Sequence, residues 1–337
     1  CKVKESMLKN VYKLSDGHNI VSVICNQKTI EKIVRIMMGY VNLIEEDNIN
    51  TVIMNICLYE DVYEVNDDLM TENIKLHCDK DGYVYKGEPI IINNISDNIV
   101  YKIKKNEVAV YGYAKDEYYI EIVRLIRMCF QLGLRFNGYR KLHISILSKN
   151  VTWGLVGDKG AGKTTMLLHM LNNGYYLTSN DKALISREGK CVGTCQRIGI
   201  QEYTMDKYNI QKNDAIIIGK KYYLWPIDLV NKYGTLIKKQ VVLDAILVLN
   251  YQAGSDLQIS EIHDVQYKKK LYDSFVCDFS DKSEMNEIGK IIIECNEWIM
   301  PNEEQDICDK LLTKRWIEVQ GEFESLDIER LASYINS

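Results

Sequence analysis

Residues 157 to 164 read Gly-Asp-Lys-Gly-Ala-Gly-Lys-Thr, which matches G-x-x-x-x-G-K-[ST] at every fixed position. A loop of this kind does phosphate chemistry. Gly157, Gly160 and Gly162 let the backbone curl so that its amides converge on phosphate oxygens, and the N-terminus of a following helix adds positive potential. Lys163 is placed to bind the β- and γ-phosphates as a point charge, and Thr164 to put its hydroxyl on Mg²⁺. The run Gly157, Asp158, Lys159, Gly160, Ala161, Gly162, Lys163, Thr164 and Thr165 is the candidate nucleotide-binding segment, and the motif leaves ATP and GTP open.

Such a loop needs a strand before it and a helix after it. Trp153–Val156 is a short apolar strand, and Thr164–Leu171 reads as a helix that stops at Asn172-Asn173-Gly174. Tyr175–Thr178 supplies a further strand, Ala183–Ser186 and Lys190–Val192 form a hairpin about Glu188-Gly189, and Ala245–Leu249 is apolar enough to be a central strand. Val241-Val242-Leu243 before Asp244 is a brief imitation of a Walker B strand, which makes Asp244 a competing metal ligand.

Upstream the pattern is mixed α/β. Ile20–Cys25 and Thr51–Leu58 read as strands and Thr29–Tyr40 as a helix. Asp79 to Gly82 is turn chemistry between Ile74–Cys78 and Tyr83–Tyr85, and Lys104-Lys105-Asn106 separates Ile99–Ile103 from Val108–Tyr113. Glu117–Leu132 carries Ile120, Val123, Ile126 and Phe130 at helical spacing, with Gly133 placed to end it. The boundary falls near Arg135 to Gly138, giving a smaller mixed α/β domain over 1–135, assigned to substrate or partner selection, and a second domain over 136–337. The helical pattern from Glu284 to Trp298 is expected to pack on the second domain.

Composition narrows the function classes. The chain has 337 residues, with 42 Lys plus Arg against 47 Asp plus Glu, a formal charge of −5. An acidic chain lacks the broad positive field that gives non-specific affinity for phosphate backbones, so a nucleic-acid partner is not expected, and Lys268-Lys269-Lys270 reads as a solvated helix face. Hydrophobic residues at 46% supply a core and argue against disorder. No apolar run reaches the roughly 18 residues that span a bilayer, and no signal-peptide core is seen, so a soluble cytoplasmic protein is expected. Ten cysteines spread from Cys1 to Cys308 read as reduced core residues, and Cys191 and Cys195 lack the companions of a zinc site. Tyrosine, at 23 residues against five phenylalanines, is assigned to strand edges with rings buried and hydroxyls wet. His18, His77, His169 and His263 have no ligand partners at suitable spacing and are given no role.

The stretch from Leu142 to Ile185, LHISILSKNVTWGLVGDKGAGKTTMLLHMLNNGYYLTSNDKALI, runs through a histidine, a strand, the loop, a helix ending in Gly-Tyr, and a strand ending in acidic or amide residues. It resembles the HPr kinase/phosphorylase group and its relatives of phosphoenolpyruvate-carboxykinase-like P-loop fold, including kinases associated with lasso-peptide biosynthesis. KKYYLWPIDL at 220–229 and VVLDAILVLN at 241–250 are similar to later segments of that group. The resemblance implies an α/β P-loop domain, transfer of the γ-phosphoryl group of ATP or GTP to a hydroxyl of a peptide, protein or small metabolite, Mg²⁺ on Thr164 and Asp181, and a homo-oligomer.

The resemblance also assigns roles. It puts the family histidine at His143 and its paired carboxylates at Asn180 and Asp181, of which only the second is acidic. The first carboxylate is the family's general base, and an amide cannot take a proton. Three outcomes are open: Asp181 or His143 is the base, Asn180 only orients the acceptor, or the chain binds nucleotide without transfer. Arg197, in Gly193-Thr194-Cys195-Gln196-Arg197-Ile198-Gly199-Ile200, resembles an active-site arginine that neutralises the transferring phosphoryl group; the alternative is a surface arginine. Arg140 is a weaker candidate.

Overall fold

Short β-branched and aromatic runs, broken by Gly, Asn and Asp turns, make this chain strand-rich. The computed structural model describes residues 10–44, 52–60, 72–75, 82–86, 89–94, 97–113, 115–212, 215–218, 221–277, 284–299, 301, 304–323, 326–329, 331 and 332. In chain order the elements are β1 (Asn10–Ser15), β2 (Ile20–Cys25), α1 (Gln27–Ile36), β3 (Asn42–Ile44), β4 (Val52–Tyr59), β5 (Glu72–Lys75), β6 (Gly82–Lys86), β7 (Ile90–Asn94), β8 (Ile99–Lys104), β9 (Glu107–Tyr111) and α2 (Asp116–Phe136). There follow β10 (Arg140–Leu142), β11 (Ser145–Ser148), β12 (Thr152–Val156), α3 (Lys163–Asn172), β13 (Tyr176–Ser179), β14 (Ala183–Ile185), β15 (Lys190–Gly193), β16 (Ile198–Ile200), α4 (Glu202–Lys207), β17 (Ile216–Ile218) and β18 (Lys221–Leu224). The last are α5 (Pro226–Tyr233), β19 (Gln240–Val242), β20 (Ala245–Tyr251), β21 (Gln258–Ile262), α6 (Val265–Phe275), α7 (Glu284–Asn296), α8 (Glu304–Leu312) and β22 (Arg315–Gly321). The protein is mixed α/β, and it divides into one unit of residues 1–137 with 278–301 and a second of 138–277 with 302–337.

In the first unit a nine-stranded sheet runs β3-β1-β2-β4-β9-β8-β7-β6-β5. Only β2 with β4 and β4 with β9 are parallel. The β8–β9 hairpin turns at Asn106, whose φ of 59° suits the amide side chain in the left-handed region. Strands β5 and β6 pair as expected, while the turn at 79–81 lies outside the described residues. Helix α1 is shorter than the pattern suggests. It opens at Asn26, whose Oδ1 accepts from Thr29 N at 2.8 Å, and ends before Gly39 at φ 84°.

Helix α2 does not end at Gly133. A Cβ there would lie 2.5 Å from Asn19 Oδ1, so this glycine permits a close approach inside the helix, and the chain turns instead at Gly138 with φ 82°. The Glu284–Trp298 stretch also departs from expectation. Helix α7 belongs to the first unit and packs on α2 and β8; Asn296 Oδ1 accepts from Asn106 N at 2.8 Å and Trp298 lies 6.2 Å from Phe136. Its apolar spacing announced a buried face without saying which partner would cover it.

In the second unit a six-stranded sheet runs β13-β11-β12-β20-β22-β21, with β12, β20 and β22 parallel. Side chains alternate across it, as the two-residue period of a strand requires. Trp153, Leu155, Ala245, Leu247 and Leu249 join a core with Met166, Leu167 and Met170 of α3. Val156, Ile246 and Val248 join the opposite core with Tyr272, Ile307 and Trp316. Both faces of β20 are therefore covered, which explains its continuous apolar run. A four-stranded sheet β10-β14-β15-β19 and a three-stranded sheet β16-β18-β17 complete the unit. Among the described residues no helix is long and apolar enough to cross a membrane.

Candidate functional site

Strand β12 delivers the chain to the glycine loop and α3 carries it away, the order the motif requires. A Cβ on Gly157 would lie 2.6 Å from Leu249 O and 2.8 Å from Ala161 Cβ, so the loop is seated on the backbone of β20 where only glycine fits. Gly162 caps α3 at φ 87°, and a Cβ there would meet the Phe323 ring at 2.6 Å. With no side chain at that cap, the first amides of α3 keep their bonding capacity for an anion. Ala161 packs on the core and its carbonyl accepts from Tyr251 N at 3.3 Å. Lys163 Nζ donates to the carbonyls of Gly157 and, at 3.2 Å, Asp158. Burial pushes this ammonium below its ordinary pKa, against the opposing pull of Asp181 and Asp158.

A second wall is assembled by two ladders. Leu142 of β10 pairs with Ala183 of β14, and Ile146 of β11 pairs with Ser179 of β13, both antiparallel. Residues 143–145 and 180–182 are thereby held opposite each other. Ser145 Oγ donates to the Asn180 carbonyl, and His143 Nε2 lies 2.7 Å from Asp181 Oδ1. Gln196 Nε2 donates to the other carboxylate oxygen, Oδ2, at 2.6 Å. Burial opposes ionisation of Asp181, but the hydrogen bond and charge of His143, the charge of Lys182 and the Gln196 amide outweigh it and hold the carboxyl below its usual value. Asn180 Nδ2 donates to Arg197 O at 3.3 Å, and the Arg197 guanidinium lies over the rings of Tyr223 and Trp225 at 5.2 and 5.9 Å.

The two walls enclose a cleft of about 780 Å³. Of the sequence candidates, His143, Asp158, Lys159, Gly160, Gly162, Lys163, Thr164, Thr165, Asn180, Asp181 and Arg197 line it. Gly157 and Ala161 do not line it; they seat the loop on β20 and on the core through the contacts just described. No family model and no curated protein matches this chain.

Asp244 is removed from the site by register. Trp153 pairs with Ala245 and Val156 with Val248, so Asp244 sits at the end of β12 opposite the loop, where its Oδ2 accepts from Thr152 N at 2.8 Å. Four residues of extended chain, roughly 13 Å, separate Thr152 from the end of the strand. Arg140 lies on β10 opposite Ile185 and does not line the cleft. His169 contacts Leu326 O at 3.3 Å, and Cys191 and Cys195 are buried thiols.

Among the described residues no three His, Cys, Asp or Glu side chains converge as a metal cage. Thr164 brings a hydroxyl oxygen to the cleft, a hard donor of the kind Mg²⁺ takes together with phosphate oxygens and water. Both oxygens of Asp181 are engaged, Oδ1 by His143 and Oδ2 by Gln196, which fixes the carboxylate beside the imidazole. Gln196, Gln201, Tyr203, Lys221 and Tyr223 also line the cleft, and none of them was assigned to the nucleotide site from the sequence. Adjacency to Arg197 was the one available signal, for Gln196; the rest arrive through the β16-β18 pairing.

Proposed function

We propose that the protein is a Mg²⁺-dependent kinase of phosphoenolpyruvate-carboxykinase-like P-loop type, acting in the cytoplasm. It transfers the γ-phosphoryl group of ATP or GTP to a hydroxyl of a peptide, protein or small metabolite. One observation carries the reading: a hydrogen-bonded His143–Asp181 pair lines the same cleft as Lys163 and Thr164 of the loop. Phosphate grip and proton acceptor face one space.

The loop amides and Lys163 hold the β- and γ-phosphates, and the Thr164 hydroxyl would hold the metal. Bound Mg²⁺ would supply charge neutralisation on those phosphate oxygens. His143 donates from Nε2 to Asp181 Oδ1, which leaves Nδ1 to accept a proton. As the acceptor oxygen bonds to the γ-phosphorus, its proton passes to Nδ1 and the bond from phosphorus to the β,γ-bridging oxygen breaks. The nucleoside diphosphate leaves with that electron pair. Asp181, held ionised, stabilises the imidazolium, and Arg197 neutralises charge on the moving phosphoryl group. Asn180 cannot take a proton, and its amide instead holds the Arg197 backbone. That substitution of an amide for the family's base favours a second reading, nucleotide binding without transfer.

The test follows γ-labelled ATP with Mg²⁺ and fractionated peptides and metabolites, with Lys163→Ala as the blank. Label on a hydroxyl compound only when Lys163 is intact is the expected result. Label that stays on ATP, or emerges solely as free phosphate, overturns the kinase in favour of the binding protein.

A further inference from the structure

Asp181 is gripped through both oxygens, and the second grip is provided by a residue to which neither the motif nor the family resemblance assigns a role. Gln196 Nε2 reaches Oδ2 at 2.6 Å while His143 Nε2 reaches Oδ1 at 2.7 Å. A carboxylate tied through one oxygen turns easily about its terminal torsion, which is broad and twofold. Two donors on opposite oxygens fix its plane.

We propose that Gln196 is a positioning residue that locks Asp181 so that His143 presents Nδ1, as the free base, to the acceptor hydroxyl; this rests on the kinase reading above. The amide donates to Oδ2 and cannot exchange a proton with it, so Asp181 stays an acceptor toward both neighbours. His143 must then carry its proton on Nε2. Among the described residues His143 Nδ1 makes no hydrogen bond, and the ring lines the cleft.

The segment carrying Gln196 is built for this task. Residues 194–197 lie between β15 and β16 without regular secondary structure, so side chains must fix their path. Thr194 Oγ1 donates to Lys182 O at 2.8 Å, Gln196 holds Asp181, and Asn180 Nδ2 holds the Arg197 carbonyl at 3.3 Å. These bonds stitch the segment to the 180–182 turn at three consecutive points. Arg197 follows Gln196 directly, so the group that meets the phosphoryl charge and the group that aligns the base ride on one braced stretch of chain.

The test uses the full chain with Gln196→Leu, which keeps the bulk and removes the donor, and Gln196→Glu, which replaces the donor with an acceptor facing Asp181. Transfer of the γ-phosphoryl group from MgATP to the hydroxyl fraction labelled in the test above is measured together with the ¹⁵N spectrum of His143. Expected are a kcat lower by about tenfold to a hundredfold, the range for partners that orient a working histidine, a nucleotide KM changed less than about twofold, and His143 passing from one Nε2–H tautomer to a mixture. A KM that rises as much as kcat falls overturns the proposal, because Gln196 would then serve the phosphates. A tautomer unmoved in both variants overturns it whatever the rate does. Wild-type protein that passes no label from MgATP to a hydroxyl acceptor sinks the kinase reading and this role with it, whereas an unmoved tautomer sinks this role alone.

Discussion

One wall of the cleft is a single stretch, Gly157 to Thr165, while the other gathers His143, Asp181, Gln196 and Arg197 from three segments, joined by the β10–β14 and β11–β13 ladders and by the hydrogen bonds of Thr194, Gln196 and Asn180. The loop wall is covalently continuous and seated on β20, so under the proposed function phosphate binding should survive small shifts elsewhere. The dispersed wall depends on several hydrogen bonds holding together, so the proposed proton transfer should be the step most exposed to distant change. Binding and transfer should therefore be separable by mutation.

The largest effect is expected at Lys163→Ala, which removes the phosphate point charge. Turnover should drop on the order of a thousandfold, as for loss of one preorganised donor, and calorimetry should show ATP affinity lost with it. His143→Gln should lower kcat by about a hundredfold, within the range of a general base, with the nucleotide dissociation constant nearly unchanged. Equal losses in both constants would erase the distinction between the walls. Gly162→Ala pushes a methyl to 2.6 Å from the Phe323 ring at a positive φ, and should destabilise the fold by about 2 kcal/mol, an ordinary overpacking cost. Asp244→Ala loses its bond to Thr152 N and should reduce stability by about 1 kcal/mol in denaturant titration while leaving turnover intact.

The smallest effect concerns acid. Asp181 is held below its usual value, so its pairing stabilises the fold fully above the ordinary carboxylate range and is lost as pH falls through the depressed native value. Asp181→Asn should therefore flatten the acid limb of the stability profile. A wild-type profile that the substitution leaves unchanged at low pH would place the pairing outside the folding equilibrium.

Legibility in the sequence followed locality. The strand, loop and helix over 152–172 could be read because glycine spacing and apolar period are properties of neighbouring residues. Helix α7 could be read as a helix but not placed, since an apolar face does not name its partner, and the chain's return to the first unit over 278–301 has no Pro-rich or Gly-rich marker. Gly133 misled because a glycine late in a helix signals a stop or a close approach equally well, and Asn19 decided the matter from another element.

The sequence by itself determined a glycine-rich loop with its flanking strand and helix, because consecutive residues at set spacing dictate how a backbone curls. The tertiary structure alone decided that Asp181 faces His143 rather than standing free, that Gln196 seals the pair, and that Asp244 is excluded. Those facts depend on ladder register, and register is set where distant strands meet and bury their apolar faces together.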